Sequence, residues 1–296
     1  MTESTGPLTD PAGLAAALRF DPESGFAGVD PHSTPGFDGK KSDGRAAQDA
    51  DAPLIRSAQE CLHANALAPD GARRALVLVL QGRDAAGKGG VVRHLSGTVG
   101  PHGLQTTAFG VPTDEEASHH FLWRVQRRIP PWGRIAVFDR SHYEDILAVR
   151  MHELAPRSVW EPRYETITEF EEGLVLNGID VVKIMLTVSQ DEQAERLRER
   201  IVIPEKAWKH SASDLEDRLR WHEYSEAFED VLHRTDSDSA PWYVVPSDRK
   251  WYARWAVGRI LLHHLEAMDL AFPPADFDRD AALAALEDSA RTIAAD

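Results

Sequence analysis

Strand-length apolar runs alternate with helix-length runs through most of this chain of 296 residues. Five runs rich in leucine and β-branched residues are long enough for strands, at residues 75–80, 104–109, 134–138, 180–188 and 242–245. Helical patterns cover residues 88–99, 114–128, 142–154, 159–176, 191–200, 213–234 and 250–268. Strands that alternate with helices form parallel sheets covered on both faces. The sequence therefore predicts an α/β fold, a three-layer sandwich around a five-stranded parallel sheet.

The two ends of the chain differ in composition from the part between them. Proline, glycine, serine and aspartate are concentrated between residues 21 and 53, which is typical of extended or partly disordered segments. We predict an extended or partly disordered arm over residues 1–53 and then one domain over residues 54–270, which begins with a covering helix. The acidic tail over residues 271–296 is predicted to form one amphipathic helix.

Acidic side chains outnumber basic ones, 48 to 33, which gives a net charge of −15. An acidic surface argues against non-specific binding to nucleic acid or membranes. The longest apolar runs are far shorter than the roughly 20 residues of a membrane helix, and the first residues lack the pattern of a signal peptide. The single cysteine, Cys61, excludes an internal disulfide. We therefore predict a cytoplasmic protein without a membrane or nucleic-acid partner.

Directly after the first strand, residues 82–90 read GRDAAGKGG, and a helical run follows. The spacing G-x-x-x-x-G-K between a strand and a helix is typical of a phosphate-binding loop (P-loop), whose backbone N–H groups and lysine hold phosphate oxygens. An unliganded glycine-rich turn is the alternative, which this context disfavours. We expect Lys88 to neutralise phosphate charge and the rest of the loop to contact phosphate through Gly82, Ala85, Ala86, Gly87, Gly89 and Gly90.

The loop departs from the usual pattern at two positions. Gly89 replaces the serine or threonine that ligates Mg²⁺ after the lysine, and Asp84 lies inside the loop. A carboxylate among phosphates is repulsive unless a metal ion separates them. Asp84 is therefore a candidate functional residue, while the alternative of an aspartate that stabilises the turn stays open.

A second carboxylate follows the third strand. Asp139 ends an apolar run, and open α/β sheets bind ligands at the carboxyl ends of their strands. Its position is that of a Walker B aspartate, and Arg140 beside it would direct a fixed cation at the same crevice. Ser141 and Glu144 have the spacing of a capping box, and we interpret them as a helix start. His142 and the other histidines lack the spacing of zinc ligands.

Basic residues gather after the fourth strand. Arg196 and Arg200 are four residues apart and share one face of a predicted helix. Lys206 and Lys209 follow beyond a proline, so that this acidic chain has a local excess of positive charge there. In a P-loop kinase such a segment closes over the transferred phosphates. We predict a helical lid at about residues 196–220.

Several motifs, in order, resemble those of the polyphosphate kinase 2 family over about residues 71–270. The resemblance implies a P-loop kinase-like fold and reversible phosphoryl transfer between inorganic polyphosphate and a nucleotide, with Mg²⁺ or Mn²⁺, in a homodimer or homotetramer. The RSHYED sequence is similar to that of the subgroup that accepts both AMP and ADP. The matching motifs are GRDAAGKGG (82–90), FGVPT (109–113), FDRSHYED (138–145), E-Q-x-x-R-L-x-x-R (192–200) and APWYVVPSDRKWY (240–252).

Matching positions transfer the family's roles to this chain. The resemblance implies that Asp84 and Asp139 are catalytic carboxylates that hold Mg²⁺ and manage the acceptor phosphate. It implies that Lys88 and Arg140 clamp phosphates, and that Arg200 is the lid cation over the transferred group. Weaker candidates for contacts to nucleotide or polyphosphate are Thr113, Arg196, Lys206 and Lys209.

Three other functions are weighed against this one. An ATP-dependent nucleoside-monophosphate kinase would share the fold, the loop and the lid, but Gly89 and the family motifs favour polyphosphate as the donor. A non-catalytic nucleotide sensor could dispense with the paired aspartates and the lid arginines. A nucleic-acid-binding ATPase would need a basic face that this sequence lacks.

Overall fold

The predicted strands pair as one all-parallel sheet in a computed structural model that describes residues 10–295. Their order across the sheet is β2-β3-β1-β4-β5, with β1 at the centre. The predicted five-stranded parallel sheet is confirmed. The strands are β1 (Ala75–Gly82), β2 (Leu104–Ala108), β3 (Ile135–Asp139), β4 (Ile179–Thr187) and β5 (Trp242–Pro246).

Helices connect the strands and cover both faces of the sheet. Three segments that the sequence predicts as single helices, 114–128, 159–176 and 213–234, are each divided between two helices. The helices of the described residues are α1 (Pro11–Leu18), α2 (Lys41–Leu67), α3 (Lys88–Val99), α4 (Asp114–Ala117), α5 (Trp123–Gln126), α6 (Glu144–Met151), α7 (Arg157–Trp160), α8 (Arg163–Leu176), α9 (Gln190–Val202), α10 (Ser213–Leu219), α11 (Trp221–Thr235), α12 (Lys250–Ala267) and α13 (Arg279–Ala295).

Alternate residues of each strand face opposite helical layers. One core lies between the sheet and helices α1, α2, α3 and α12, and the other between the sheet and α5, α6, α8 and α11. Burial on both faces explains why the central strand is an unbroken apolar run. In β1 the first core takes Leu76, Leu78 and Leu80, and the second takes Ala75, Val77 and Val79.

The structure contradicts part of the predicted arm over residues 1–53, because helix α2 covers its last quarter. Gly44 lets α2 approach α12 so closely that a Cβ added to it would lie 2.0 Å from the Trp251 ring. Further along, the buried carboxylate of Asp51 accepts two hydrogen bonds from Arg259, each of 2.8 Å. Tertiary contacts of this kind override a weak local preference for helix.

The rest of the described arm runs along one edge of the sheet. Helix α1 packs against α12, and the next residue, Arg19, forms an antiparallel bridge with Tyr243 of the edge strand β5. The Phe20 N–H donates to the Trp242 carbonyl at 2.9 Å. These bonds cover part of an edge that would otherwise present unpaired backbone groups. Residues 1–9, the start of the predicted arm, lie outside the described residues.

The predicted lid at about 196–220 corresponds to the end of α9, a 3₁₀ segment over Pro204–Lys209, and α10. The predicted tail contains α13, whose described side chains are exposed; residue 296 lies outside the described part. Among residues 10–295, no helix combines the length and the hydropathy needed to cross a lipid bilayer.

The close α2–α12 contact gives a stability prediction. Gly44→Ala should lower the free energy of unfolding by about 1–3 kcal/mol, because the added methyl group overlaps the Trp251 ring in a packed interface. Gly97→Ala in α3 is the matched control, since nothing lies within 4 Å of its added Cβ; it should be neutral or stabilising. Urea unfolding followed by circular dichroism measures both. A Gly44→Ala protein as stable as Gly97→Ala would contradict the packing described.

Candidate active site

The carboxyl ends of β1 and β3 lie side by side at the centre of the sheet. Helix α3, which follows β1, packs on one face, whereas α6, which follows β3, packs on the other. Open α/β sheets bind ligands in the crevice between two such strands. Because Leu80 of β1 lies opposite Asp139 at the end of β3, the P-loop and the Asp139 segment share this crevice.

The P-loop leaves several peptide N–H groups without an acceptor. Left-handed backbone at Gly82 (φ 140°), Ala85 (φ 63°) and Gly87 (φ 116°) shapes the turn. A Cβ at Gly82 would also lie 2.6 Å from the Leu186 carbonyl oxygen. Unpaired N–H groups before a helix N-terminus form an anion site. Within the described residues, these N–H groups include those of Arg83, Asp84, Ala85, Gly87, Lys88 and Gly89.

Opposite charges surround this loop. The Arg140 guanidinium donates to Asp84 Oδ1 at 2.6 Å. Burial alone would raise the pKa of the Asp84 carboxyl, but the charges of Lys88 and Arg140 hold this pKa below its ordinary value. Burial lowers the pKa of the Lys88 amine, despite the carboxylates of Asp84 and Asp139 nearby. The Arg140 backbone is left-handed (φ 64°), a costly conformation that tends to occur at functional sites.

Glu144 also lies in the crevice. The predicted helix start is confirmed here, but the side-chain bonds of a capping box are not formed. Helix α6 begins at Glu144 without a side-chain cap, and the Ser141 hydroxyl accepts from the Tyr143 N–H instead. With its amide nitrogen oriented toward Glu144, Gln81 donates to Glu144 Oε1 at 3.1 Å. Burial raises the pKa of the Glu144 carboxyl above its ordinary value.

A fully buried lysine anchors the segment that follows β3. Lys183 of β4 donates to Glu171 Oε2 and to the Thr235 carbonyl, both at 2.6 Å. It also donates to the Tyr143 hydroxyl at 3.2 Å. Glu171 Oε1 accepts from the Tyr143 hydroxyl at 2.9 Å and contacts His142 Nε2 at 3.0 Å. The buried Lys183–Glu171 ion pair therefore fixes the segment that carries Arg140, through its bonds to Tyr143 and His142.

A cleft of about 390 Å³ extends from the P-loop to the lid. At the P-loop end it is lined by the charged groups of Asp84, Arg140 and Glu144. The lid contributes Asp217, and burial raises the pKa of this carboxyl. The cleft therefore combines charged groups beside the P-loop with an apolar wall. The apolar wall consists of Phe109, Val111, Leu147, Val149, Leu154 and Phe228.

Three arginines, Arg45, Arg93 and Arg254, form a basic cluster beside the first turns of α3. A Cβ at Gly90 would lie 3.3 Å from Arg254 Nη2. Burial lowers the pKa of Arg254, and the charges of Arg93 and Arg45 lower it further. Within residues 10–295 no acidic group pairs with any of the three. The basic cluster is thus a local concentration of positive charge in an acidic protein.

Comparison with known proteins identifies the family. Residues 46–273 match the family model of Polyphosphate kinase 2 (PPK2). An AMP/ADP-polyphosphate phosphotransferase of Meiothermus ruber is 43% identical over 260 residues, which cover 86% of this chain and 94% of the relative. The chain belongs to the polyphosphate kinase 2 family. An ADP-polyphosphate phosphotransferase of Rhodopseudomonas palustris is 42% identical over 68% of this chain and 74% of its own length.

Solved structures agree with this assignment. The crystal structure of a polyphosphate kinase 2 from Arthrobacter aurescens TC1 matches with a TM-score of 0.89 and 44% sequence identity. The match covers 95% of this chain and 98% of that one. The sheet order and the helical layers described above are therefore those of a polyphosphate kinase 2.

The structure brings the main predicted residues of this polyphosphate kinase 2 together. Asp84, Lys88, Asp139 and Arg140 meet between the ends of β1 and β3. Arg200 approaches from the lid, and its charge contributes to the lowered pKa of Asp84. The Arg200 guanidinium is itself held by Asp214 at 2.7 Å.

The predicted substrate contact of Arg196 is contradicted. Arg196 is buried beneath the P-loop, and all five of its N–H groups donate to protein oxygens. Thr113 is exposed and caps α4, where its hydroxyl accepts from the Glu116 N–H at 3.2 Å. The role of Thr113 in substrate binding stays a prediction.

The two predicted lysines of the polyphosphate channel lie on the lid. Lys206 donates to Glu199 at 2.6 Å, which neutralises part of its charge. Lys209 lies 5.1 Å from the centre of the exposed Trp208 ring. Their role in the channel stays a prediction.

Sequence reasoning missed Glu144 and the basic cluster. Glu144 is the first residue of α6, the helix that begins at the crevice after β3, so its place at a helix start beside Asp139 was the signal available. Arg93 lies in the helix that the P-loop begins, and Arg254 follows the last family motif by two residues. Arg45 carried no signal, because the helix around it was not predicted.

The buried ion pair beneath the crevice gives a second stability prediction. Lys183→Met should lower the free energy of unfolding by about 3–5 kcal/mol, because it leaves the Glu171 carboxylate buried without its cation. Adding Glu171→Gln to this variant should recover part of the loss. Arg157→Met, which breaks the exposed Arg157–Glu161 pair, is the control and should leave stability unchanged. Urea unfolding measures these free energies. Equal losses in Lys183→Met and Arg157→Met would refute the role given to Lys183.

Proposed function

We propose that this chain transfers the terminal phosphoryl group of inorganic polyphosphate to AMP or ADP, reversibly. One observation carries the proposal: a P-loop with an embedded, ionised aspartate meets a second aspartate and an arginine at the sheet crevice. The likeness to the AMP/ADP-polyphosphate phosphotransferase of Meiothermus ruber supports these substrates. The cytoplasmic location and the homodimer or homotetramer stay predictions.

The cleft suits a nucleoside phosphate as acceptor. Its volume of about 390 Å³ falls in the range of small-molecule sites. The apolar wall between Phe109 and Phe228 fits a nucleobase, and the charged end near Arg140 fits the phosphates. Because an acceptor phosphate is already ionised, the reaction needs no strong general base. Asp84 then orients groups or binds metal and does not remove a proton.

The basic cluster suits a long polyanion as donor. Arg45, Arg93 and Arg254 have no acidic partner among the described residues, and Arg254 lies against the first turn of α3. A polyphosphate held there would reach the P-loop at the N-terminus of the same helix. Local positive charge in a protein of net charge −15 would also attract the anion over a distance.

Phosphoryl transfer depends mainly on alignment and on neutralisation of spread negative charge. The bond between the terminal phosphorus and its bridging oxygen breaks, and an oxygen of the acceptor phosphate forms the new bond. The leaving group is polyphosphate shortened by one unit. Lys88, Arg140 and Arg200 supply fixed positive charge around this phosphorus.

Asp84 and Asp139 fit Mg²⁺, with Mn²⁺ as a substitute. Mg²⁺ usually takes one or two carboxylates and completes its shell with water and substrate phosphates. A Cβ at Gly89 would lie 3.9 Å from Asp139 Oδ2, so the position where a hydroxyl ligand is missing adjoins this carboxylate. When bound, the ion would neutralise charge on the transferred group. The two aspartates would hold it beside the P-loop.

The reaction itself is the first test. AMP, polyphosphate and Mg²⁺ should give ADP and then ATP with no ATP added, as measured by chromatography of the nucleotides. Chelation of the metal should stop turnover, and Asp139→Asn should lower the rate by at least about 10²-fold, since it removes charge stabilisation of the transition state. Turnover with ATP alone as donor would favour the nucleoside-monophosphate kinase instead.

The donor site is tested separately. The double change Arg93→Ala and Arg254→Ala should raise the KM for long-chain polyphosphate and flatten its salt dependence, because it removes positive charge whose attraction for the polyanion is screened by salt. The KM for AMP should stay the same. Arg198→Ala, on the exposed face of α9, is the matched control. A changed KM for AMP with an unchanged KM for polyphosphate would place the basic cluster at the acceptor instead.

A further inference from the structure

Every carbonyl of the P-loop from Gly82 to Gly87 has a donor within the protein. Lys88 Nζ donates to the Gly82 and Arg83 carbonyls at 2.6 and 3.1 Å. The Gly87 carbonyl accepts from N–H groups of α3. Three consecutive carbonyls remain, and side chains of α9 bind all three: those of Asp84, Ala85 and Ala86.

Arg196 is the larger of these two supports. Its Nη1 donates to the carbonyls of Ala85 (2.9 Å) and Ala86 (2.8 Å). Its Nη2 donates to the carbonyls of Ser247 and Asp248, after β5, at 2.5 and 3.0 Å. Nε donates to Glu192 at 2.7 Å. The planar guanidinium thus joins the P-loop to a second loop, a geometry that a lysine cannot reproduce.

Gln193 completes the support and connects it to the lid. Its amide nitrogen donates to the Asp84 carbonyl at 3.0 Å, and its amide oxygen accepts from Arg218 of α10 at 2.8 Å. Gln193, Arg196 and Arg200 lie on one face of α9, at positions i, i+3 and i+7. The same helix therefore holds the P-loop and carries the lid cation.

We propose that Arg196 and Gln193 are positioning residues for the transfer reaction. By binding three consecutive carbonyls they keep the peptide N–H groups of the loop available to phosphate. Because α9 is continuous, the same bonds fix the distance between the P-loop and Arg200. Their effect on turnover rests on the proposed function, whereas their effect on the loop does not.

When Lys88 turns to a phosphate, its bonds to the Gly82 and Arg83 carbonyls are lost. The bonds from α9 are then the remaining side-chain bonds to the loop carbonyls among the described residues. The support therefore matters most in the substrate-bound enzyme. A change there should act on kcat more than on the KM of either substrate.

The test compares Arg196→Lys, Arg196→Met and Gln193→Met in the full chain. Arg259→Met, which removes a partly buried arginine paired with Asp51 in the α2–α12 interface, is the matched control. We expect kcat to fall at least about tenfold in both Arg196 variants, with a smaller loss in Gln193→Met. Amide hydrogen exchange at Ala86, Gly90 and Val91, whose N–H groups are hydrogen-bonded to loop carbonyls, should become faster in the ligand-free variants. In Arg259→Met the melting temperature should fall while kcat and loop exchange stay as in the wild type.

Each outcome decides a different question. If Arg196→Lys restored kcat and loop exchange to wild-type values, Arg196 would act only as a charge and the proposal would be wrong. Lowered melting temperatures with kcat and loop exchange unchanged would reduce both residues to structural ones. If Arg196→Met fails to fold, Arg196→Lys and Gln193→Met still decide between these results. Faster loop exchange in a chain without polyphosphate-dependent turnover would reject the proposed function and leave the loop support standing.

Discussion

A peptide loop holds an anion through its N–H groups only when the carbonyls of the same peptides are bonded elsewhere. The P-loop meets this constraint with Lys88 and with two side chains of α9. Left-handed backbone at three positions makes the turn possible, but it does not by itself stiffen the loop. Helix α9 lies where its side chains reach the loop carbonyls. Arg196 is buried there because it also binds the carbonyls of the chain after β5.

Charge is distributed to match this geometry. The protein carries a net charge of −15, yet the crevice places Lys88 and Arg140 around Asp84 and keeps that carboxyl ionised. Glu144 lies in the same cleft with a raised pKa, so neighbouring carboxylates differ in proton affinity because their surroundings differ. An acidic surface therefore coexists with a phosphate site whose cations are fixed by the fold.

The parts that the sequence predicted correctly are those with strong local patterns. Four of the five strands read as apolar runs because both faces of the sheet are buried there, whereas the edge strand β2 is more polar and only partly buried. The P-loop is recognisable from its spacing and context. The part of helix α2 after residue 53 was predicted, but its first half was missed. Gly44 and Asp51 weaken a helix locally, while their contacts with Trp251 and Arg259 stabilise it from more than 200 residues away. Arg196 was misassigned because the sequence shows that a residue is a cation, but not that its N–H groups donate to backbone carbonyls of the folded chain.

Strand β4 connects the two halves of the site. Inside the sheet it carries Lys183, whose buried ion pair holds the segment after β3 in place. At its carboxyl end it leads into α9, whose side chains hold the P-loop. Strand β4 pairs directly with β1 over the whole length of β1. Both supports are therefore fixed relative to β1, the strand from which the P-loop emerges. One continuous stretch of chain, from Lys183 to Arg200, therefore contacts both the P-loop and the segment after β3. It keeps the aspartates and cations of these two segments in fixed relative positions.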